Sequence, residues 1–304
     1  MSITPAEAIA VRAFAAAGLG IALFAAMDAV MKGLSLAIGA YSAMVWRCAA
    51  GCVIAGLPWL ATRPSVPAAG AMRLHLLRGA VTALMTVSFF WGLARVPMAQ
   101  AIALTFVAPL LALYLAAVLL GEKVGRGAIH GSLVAFAGVL VILAGATRGE
   151  GDPSRLPGIA AIIFSALCYA YNLVLQRQQA QAAGPLEIAF FQSATIGLFL
   201  VLAAPVVPIA SPAGHWWEIA LAALLASVSL LLLSWGYARA PASYLVPVEY
   251  SAFIWACLFG WAVFGEAVGL ATLAGAALIV CGCVVAMRSR PVAVAGPGNV
   301  EIGL

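Results

Sequence analysis

Residues 91–97 read Trp-Gly-Leu-Ala-Arg-Val-Pro, and residues 235–241 read Trp-Gly-Tyr-Ala-Arg-Ala-Pro. The spacing is 144 residues, and it holds without a gap well beyond the motif. Gly121-Glu122-Lys123-Val124-Gly125 falls on Gly265-Glu266-Ala267-Val268-Gly269, Gly131 falls on Gly275, and Gly138 falls on Gly282. Between 91 and 138, 13 of 48 positions are identical at this offset, which marks a duplication. The period is far too long for a solenoid. In a membrane protein, two such halves point to a transporter with its site between them.

The composition makes it a membrane protein. The chain is 65% hydrophobic and 8% charged, against about 25% charged in soluble domains. The net charge of +5 calls for no nucleic-acid partner, because membrane topology accounts for the basic residues. Cys48, Cys52, Cys168, Cys257, Cys281 and Cys283 all lie in apolar stretches, with no His near either close pair, so they read as buried thiols. No metal site and no cofactor is expected. The first apolar run lacks a convincing cleavage site and reads as a retained helix.

A helix needs about 20 apolar residues to cross the bilayer core. Ten runs qualify, near 13–33, 40–61, 71–93, 97–119, 126–146, 157–178, 185–209, 215–238, 241–264 and 268–288. Pro97, Pro157, Pro185 and Pro241 open four of them, where a missing N–H costs nothing. The expected fold is therefore an all-α integral membrane protein of ten transmembrane helices. The polar stretch Thr147 to Arg155 divides it into a first repeat over 1–150 and a second over 151–290, with a disordered tail over 291–304.

With the N-terminus cytoplasmic, the inside holds Arg12, Arg63, Arg73, Arg78, Lys123, Arg126, Arg177, Arg239, Arg288 and Arg290. The outside holds Lys32, Arg95, Arg148 and Arg155. The positive-inside rule then favours both termini in the cytoplasm. Five helices per repeat is odd, so the second repeat enters the membrane upside down: two inverted five-helix repeats. The Ala/Gly-rich chain fits a bacterial inner membrane.

Ionisable groups inside the membrane each need a reason. Asp28 lies about 22 Å along the first helix and Arg47 about 10 Å into the second from outside, so both sit near the outer face. They read as an ion pair joining two helices, or as an outer gate or substrate-carboxylate contact. Lys32, one turn after Asp28, is a competing partner. At the offset, Asp28 matches Asn172, and Gln192 matches the residue after Arg47. The expectation is two gate layers, Asp28–Arg47 at one face and the neutral amides Asn172 and Gln192 at the other.

Glu249 lies about 12 Å into the ninth helix, near midplane, and its match is Thr105. Pro247 and Pro109 free carbonyls near these matched positions, the arrangement expected where broken helices line a cavity. Glu249 reads as a substrate or coupling-proton site, or as a protonated acid bonded to a backbone carbonyl. Tyr169, Asn172, Tyr244 and Tyr250 can supply stacking and hydrogen-bonding surfaces at similar depth. Glu122 and Glu266 follow helix-ending glycines and read as caps. Gly127-x-x-x-Gly131 and Ala271-x-x-x-Gly275 permit close helix approach, between the repeats or in a homodimer.

These residues carry a family likeness. PMAQAIALTFVAPLLALYLAAVLLGEKV (97–124), PASYLVPVEYSAFIWACLFGWAVFGEAV (241–268) and the DAVMKG…WRCAAG stretch (28–51) resemble the EamA family of the drug/metabolite transporter superfamily. The resemblance implies a ten-helix secondary transporter with cytoplasmic termini and a central cavity between the repeats. Such proteins move amino acids, amines, nucleotide-like metabolites, riboflavin, S-adenosylmethionine or drugs. The family often has Asp at the fourth position of the motif opening the fourth helix, where this chain has Gln100.

The expected function is thus alternating-access transport of a small organic metabolite, with proton coupling through Glu249, or uncoupled facilitation or exchange by the same fold. Enzymatic activity is not expected: His75, His130 and His215 are scattered, and there is no HExxH, GxSxG or phosphate loop. A non-transporting scaffold would leave the midplane acid and prolines without a purpose.

Overall fold

The computed structural model describes residues 5–62, 66–108, 110–111, 114–115, 126–147, 153–212, 214–237, 239, 248 and 250–288. Ten α-helices lie among the described residues: α1 (Pro5–Ile38), α2 (Ala40–Ala61), α3 (Ala69–Leu93), α4 (Met98–Thr105), α5 (Arg126–Thr147), α6 (Arg155–Ala182), α7 (Pro185–Leu202), α8 (Trp216–Tyr237), α9 (Ser251–Phe264) and α10 (Leu270–Arg288). Each falls on one of the ten apolar runs. Six are long and apolar enough to cross a membrane: α1, α2, α3, α6, α7 and α8. Apolar segments of α5, α9 and α10 are shorter.

The run expected over 185–209 ends early. After Leu202 the chain turns, with Ala204 N donating to Val201 O and Val206 N to Ala203 O. Pro205 and Pro208 lack the N–H groups that would carry the helix on.

The opening motif has the same local structure in both halves. The Arg95 guanidinium lies 3.5 Å from the Trp91 ring centroid and donates to the Trp91 carbonyl at 2.7 Å. Arg239 repeats this on Trp235, at 4.3 and 3.2 Å. A cation at a helix C-terminus satisfies an orphan carbonyl and meets the negative end of the dipole, and its stacking on indole adds a cation–π contact. The glycine next to each Trp permits close packing. A Cβ on Gly92 would lie 2.6 Å from Gly158 O, and one on Gly236 3.0 Å from Ala13 O.

The helices of one half pack on those of the other in an exchanged pattern: α1 on α8, α3 on α6, α2 on α7, α4 on α9 and α5 on α10. The pairing of first with third helix is thus answered by third with first. Every pair whose register can be followed runs antiparallel. Along α1/α8, Gly236 meets Ala13 and Ala17 while Gly20 meets Ser229. Along α2/α7, Gly56 meets Phe190, Gly51 meets Ser193 and Gly197 meets Cys48. Two of these pairs, α2 with α7 and α5 with α10, join helices at matching positions of the two halves, and each of the two runs antiparallel.

The α5/α10 crossing shows the exchange residue by residue. A Cβ on Gly138 would lie 2.5 Å from Gly275 O, and one on Gly282 would strike Gly131 O. Adding 144 to Gly131 and Gly138 gives Gly275 and Gly282, so each contact is the other's counterpart. Ala271 meets Gly145 on the same seam. The small-residue motifs are therefore used between the halves of one chain.

The interior is rich in Ala, Met and Ile, whereas large apolar side chains such as Val53, Leu57, Leu133 and Ile254 stand exposed. That distribution suits a protein whose outer surface faces lipid.

Candidate functional site

Two of the expected midplane residues, Glu249 and Tyr244, lie outside the described residues. Their neighbours are placed. Thr105 ends α4 with its hydroxyl on Ile102 O at 2.7 Å. Tyr250 opens α9 and meets Phe106 edge-on, with centroids 5.3 Å apart. Gln100 is buried and accepts from Arg155 Nη2 at 3.1 Å, so the residue in place of the family's Asp is held by the start of α6.

Asn172 is the centre of a buried polar network between α3, α6 and α7. Its Oδ1 accepts from Arg78 Nε at 3.0 Å and from Thr82 Oγ1 at 3.2 Å. Arg78 also donates to Gln176 at 3.3 Å and to Gln179. Gln179 pairs with His75 Nδ1 at 2.6 Å, and His75 Nε2 meets Glu187 at 3.0 Å. Phe191 stacks on His75 with centroids 4.6 Å apart. An Arg fork distributed over amide oxygens satisfies its donors without needing a counter-ion of its own. Tyr169 sits on α6 one turn before Asn172 and stands part-exposed.

The structure adds to the reading of Arg78 as a cytoplasmic-side charge: it is 5% exposed within α3 and ties that helix to α6 through three amide side chains. An arginine inside a run assigned to the membrane was itself the available signal.

Of the two readings of Asp28 and Arg47, the ion pair is not what the structure shows. Among the described residues no ion pair joins them. Arg47 is the charged group near enough to act on Asp28, yet Asp28 Oδ1 and Arg47 Nε are both buried without a hydrogen-bond partner. Gln192 Oε1, the third expected gate atom, is likewise unpartnered, as is Ser35 Oγ on α1.

Lys32 turns to Glu266 rather than to Asp28. Its Nζ also donates to Val96 O at 2.7 Å and lies 5.1 Å from the Phe264 ring centroid. The α9 terminus explains why. Gly265 adopts φ +65, and its N–H reaches Trp261 O while the Glu266 N–H reaches Gly260 O, each at 3.0 Å. This is a Schellman ending, which only glycine reaches without strain. It aims the Glu266 carboxylate at Lys32 and at Met98 N, 2.7 Å from Oε2. Met98 is the first residue of α4. Glu266 is indeed a cap, but of α4 rather than of the helix that follows it.

The polar residues thus form three groups: a complete Arg78 network, a complete Lys32–Glu266 clamp, and an incomplete set around Asp28 and Arg47. Among the described residues no group of His, Cys, Asp and Glu could hold a metal ion.

Comparison with known proteins matches the EamA-like transporter family twice, over residues 12–144 and 156–288, again at the 144-residue offset. A pseudopaline exporter of Pseudomonas aeruginosa is 24% identical over 270 residues, covering 88% of this chain and 93% of the relative. A riboflavin transporter of Rhizobium johnstonii is 29% identical over 217 residues, covering 71% and 70%. An uncharacterized transporter of Helicobacter pylori is 27% identical over 221 residues, covering 70% and 72%. One solved crystal structure shares the fold, with TM-score 0.60 and 24% identity over 91% of this chain and 97% of that one. This multi-pass, internally repeated membrane protein belongs to the EamA-like transporter family.

Proposed function

We propose that the chain is a secondary transporter that moves a small organic metabolite by alternating access. Its ten helices cross a bacterial inner membrane as two inverted five-helix repeats, with both termini cytoplasmic. The observation that carries this reading is the antiparallel, exchanged packing of equivalent helices. Two halves so related present equivalent faces to opposite sides, so rocking one on the other exposes a central site alternately.

In that orientation the Lys32–Glu266 clamp closes the outer end, joining α1, α4 and α9. The Arg78 network closes the inner end, joining α3, α6 and α7. Their compositions differ, one an ion pair and one a cation among amides, and this asymmetry sets which end rests closed. Glu249 at midplane exchanges a proton against the solute. Small-molecule cargo is supported by the relatives, whose named substrates, riboflavin and pseudopaline, are both organic metabolites.

The test is substrate-agnostic. Proteoliposomes are loaded with a bacterial metabolite extract, and mass spectrometry follows which solutes leave faster than from protein-free liposomes. One or a few accelerated solutes are expected. None, with folded protein inserted in both orientations, overturns the proposal. A proton gradient that leaves the rate unchanged selects the facilitator or exchanger form.

A further inference from the structure

The two halves bury the same kind of polar ladder, and only one is complete. On α6 the ladder is Asn172 and Gln179, and both accept from the Arg78 guanidinium on α3. The offset carries Asn172 to Asp28, Gln179 to Ser35 and Arg78 to Ala222. The helix pairs correspond as well. Ser165 on α6 bonds Met85 O on α3 at 2.8 Å, and Ser229 on α8 bonds Gly20 O on α1 at 2.7 Å, near-equivalent contacts of the two exchanged pairs.

The position that supplies the guanidinium to the second-half ladder is therefore an alanine in the pair that carries the first-half ladder. The atoms register the difference. Asp28 Oδ1 and Ser35 Oγ are buried without partners, and Asp28 is 3% exposed. A buried acceptor left unpaired is destabilising, more so when charged. Lys32, one turn away, is committed to Glu266 and Val96. Arg47 is close enough to act on Asp28 but does not bond it, and its Nε is also buried and unpaired.

We infer that Asp28 and Ser35 bind a guanidinium or primary ammonium group of the solute, at the position where Arg78 sits in the other half. A carboxylate on the same solute meets Arg47. This inference rests on the transport reading and names the cargo's chemical class.

L-arginine carries both groups and serves as the probe, with binding read by calorimetry and by thermal shift on purified protein. The wild type is expected to bind it. Asp28→Asn, which recreates the residue found at position 172, is expected to bind at least tenfold more weakly. Ala222→Arg supplies the guanidinium from α8, as Arg78 does from α3. It is expected to raise the wild-type melting temperature in the absence of ligand and to abolish the arginine-induced shift. Equal affinity in wild type and Asp28→Asn, or no binding to wild type, overturns the inference. Accelerated efflux of other solutes without arginine binding would sink this assignment and leave the transport reading standing. Asp28-dependent arginine binding with no efflux of any solute would do the reverse.

Discussion

Arg78 Nε donates to Asn172 Oδ1 at 3.0 Å, whereas Asp28, at the matching position of the first half, has an Oδ1 with no partner. The duplication has kept the ladder and divided its use. One copy is satisfied from within the chain, and the other keeps a buried acceptor for something else. The neutral Asn faces the fixed cation, and the acid stands where that cation is missing.

Removing the cation from the complete copy should weaken the fold. Arg78→Ala leaves Asn172, Gln176 and Gln179 to find other donors, and losses of about 1–3 kcal/mol are usual for such buried groups. Arg78→Lys should recover little of this, because an ammonium cannot reproduce the planar fork across separate acceptors. Thermal denaturation in detergent checks both variants. A melting temperature unchanged in Arg78→Ala would contradict the structural role.

The clamp makes a different prediction. Glu266→Ala strands the Lys32 ammonium in a buried site and uncaps α4, so a loss of roughly 3–5 kcal/mol is expected. Adding Lys32→Met should restore most of it, because the uncompensated charge is then gone. Double-mutant analysis of melting temperatures reads the coupling. Additive losses would mean that the two side chains do not act on each other.

The α5/α10 seam can be tested through its equivalence. Gly138→Ala and Gly282→Ala each force a methyl against the partner's backbone carbonyl, at Gly275 and Gly131. Overpacking of this kind costs about 1–3 kcal/mol. The two variants should lose similar amounts, since their contacts are counterparts. A large loss in one and none in the other would break the exchanged-pair description.

Much of this arrangement was legible in the sequence. The 144-residue register matched the Trp91…Arg95 and Trp235…Arg239 motifs and the glycines of the seam, and the apolar runs marked the ten helices, because these features depend on local chemistry. Partner choice was less legible. Helical spacing offered Lys32 as a competing partner for Asp28, but Gly265 turns the chain so that Glu266, 234 residues away, reaches it. Arg78 was read only as an inside charge, although it falls within the run expected over 71–93, because its acceptors lie on α6, about a hundred residues away. Gln100 and Arg155 meet through the α4–α6 contact, which no local pattern encodes.

Orientation is open to direct labelling. Val66, between α2 and α3, and Val206, between α7 and α8, are both exposed. In right-side-out vesicles, a membrane-impermeant maleimide should label Val206→Cys and spare Val66→Cys. The opposite pattern would reverse the topology and exchange the inner and outer assignments of the two clamps.

Alternating access requires the halves to move on each other, and one substitution can stop them. A Cβ on Gly197 of α7 would lie 3.3 Å from Cys48 Cβ on α2, close to disulfide geometry. The decisive measurement is metabolite efflux from proteoliposomes bearing Gly197→Cys, before oxidation, after it and after reduction. The account predicts that efflux seen in the reduced protein stops when the Cys48 disulfide forms and returns when it is broken, while wild-type efflux ignores oxidation. Full-rate efflux through completely cross-linked protein would contradict it.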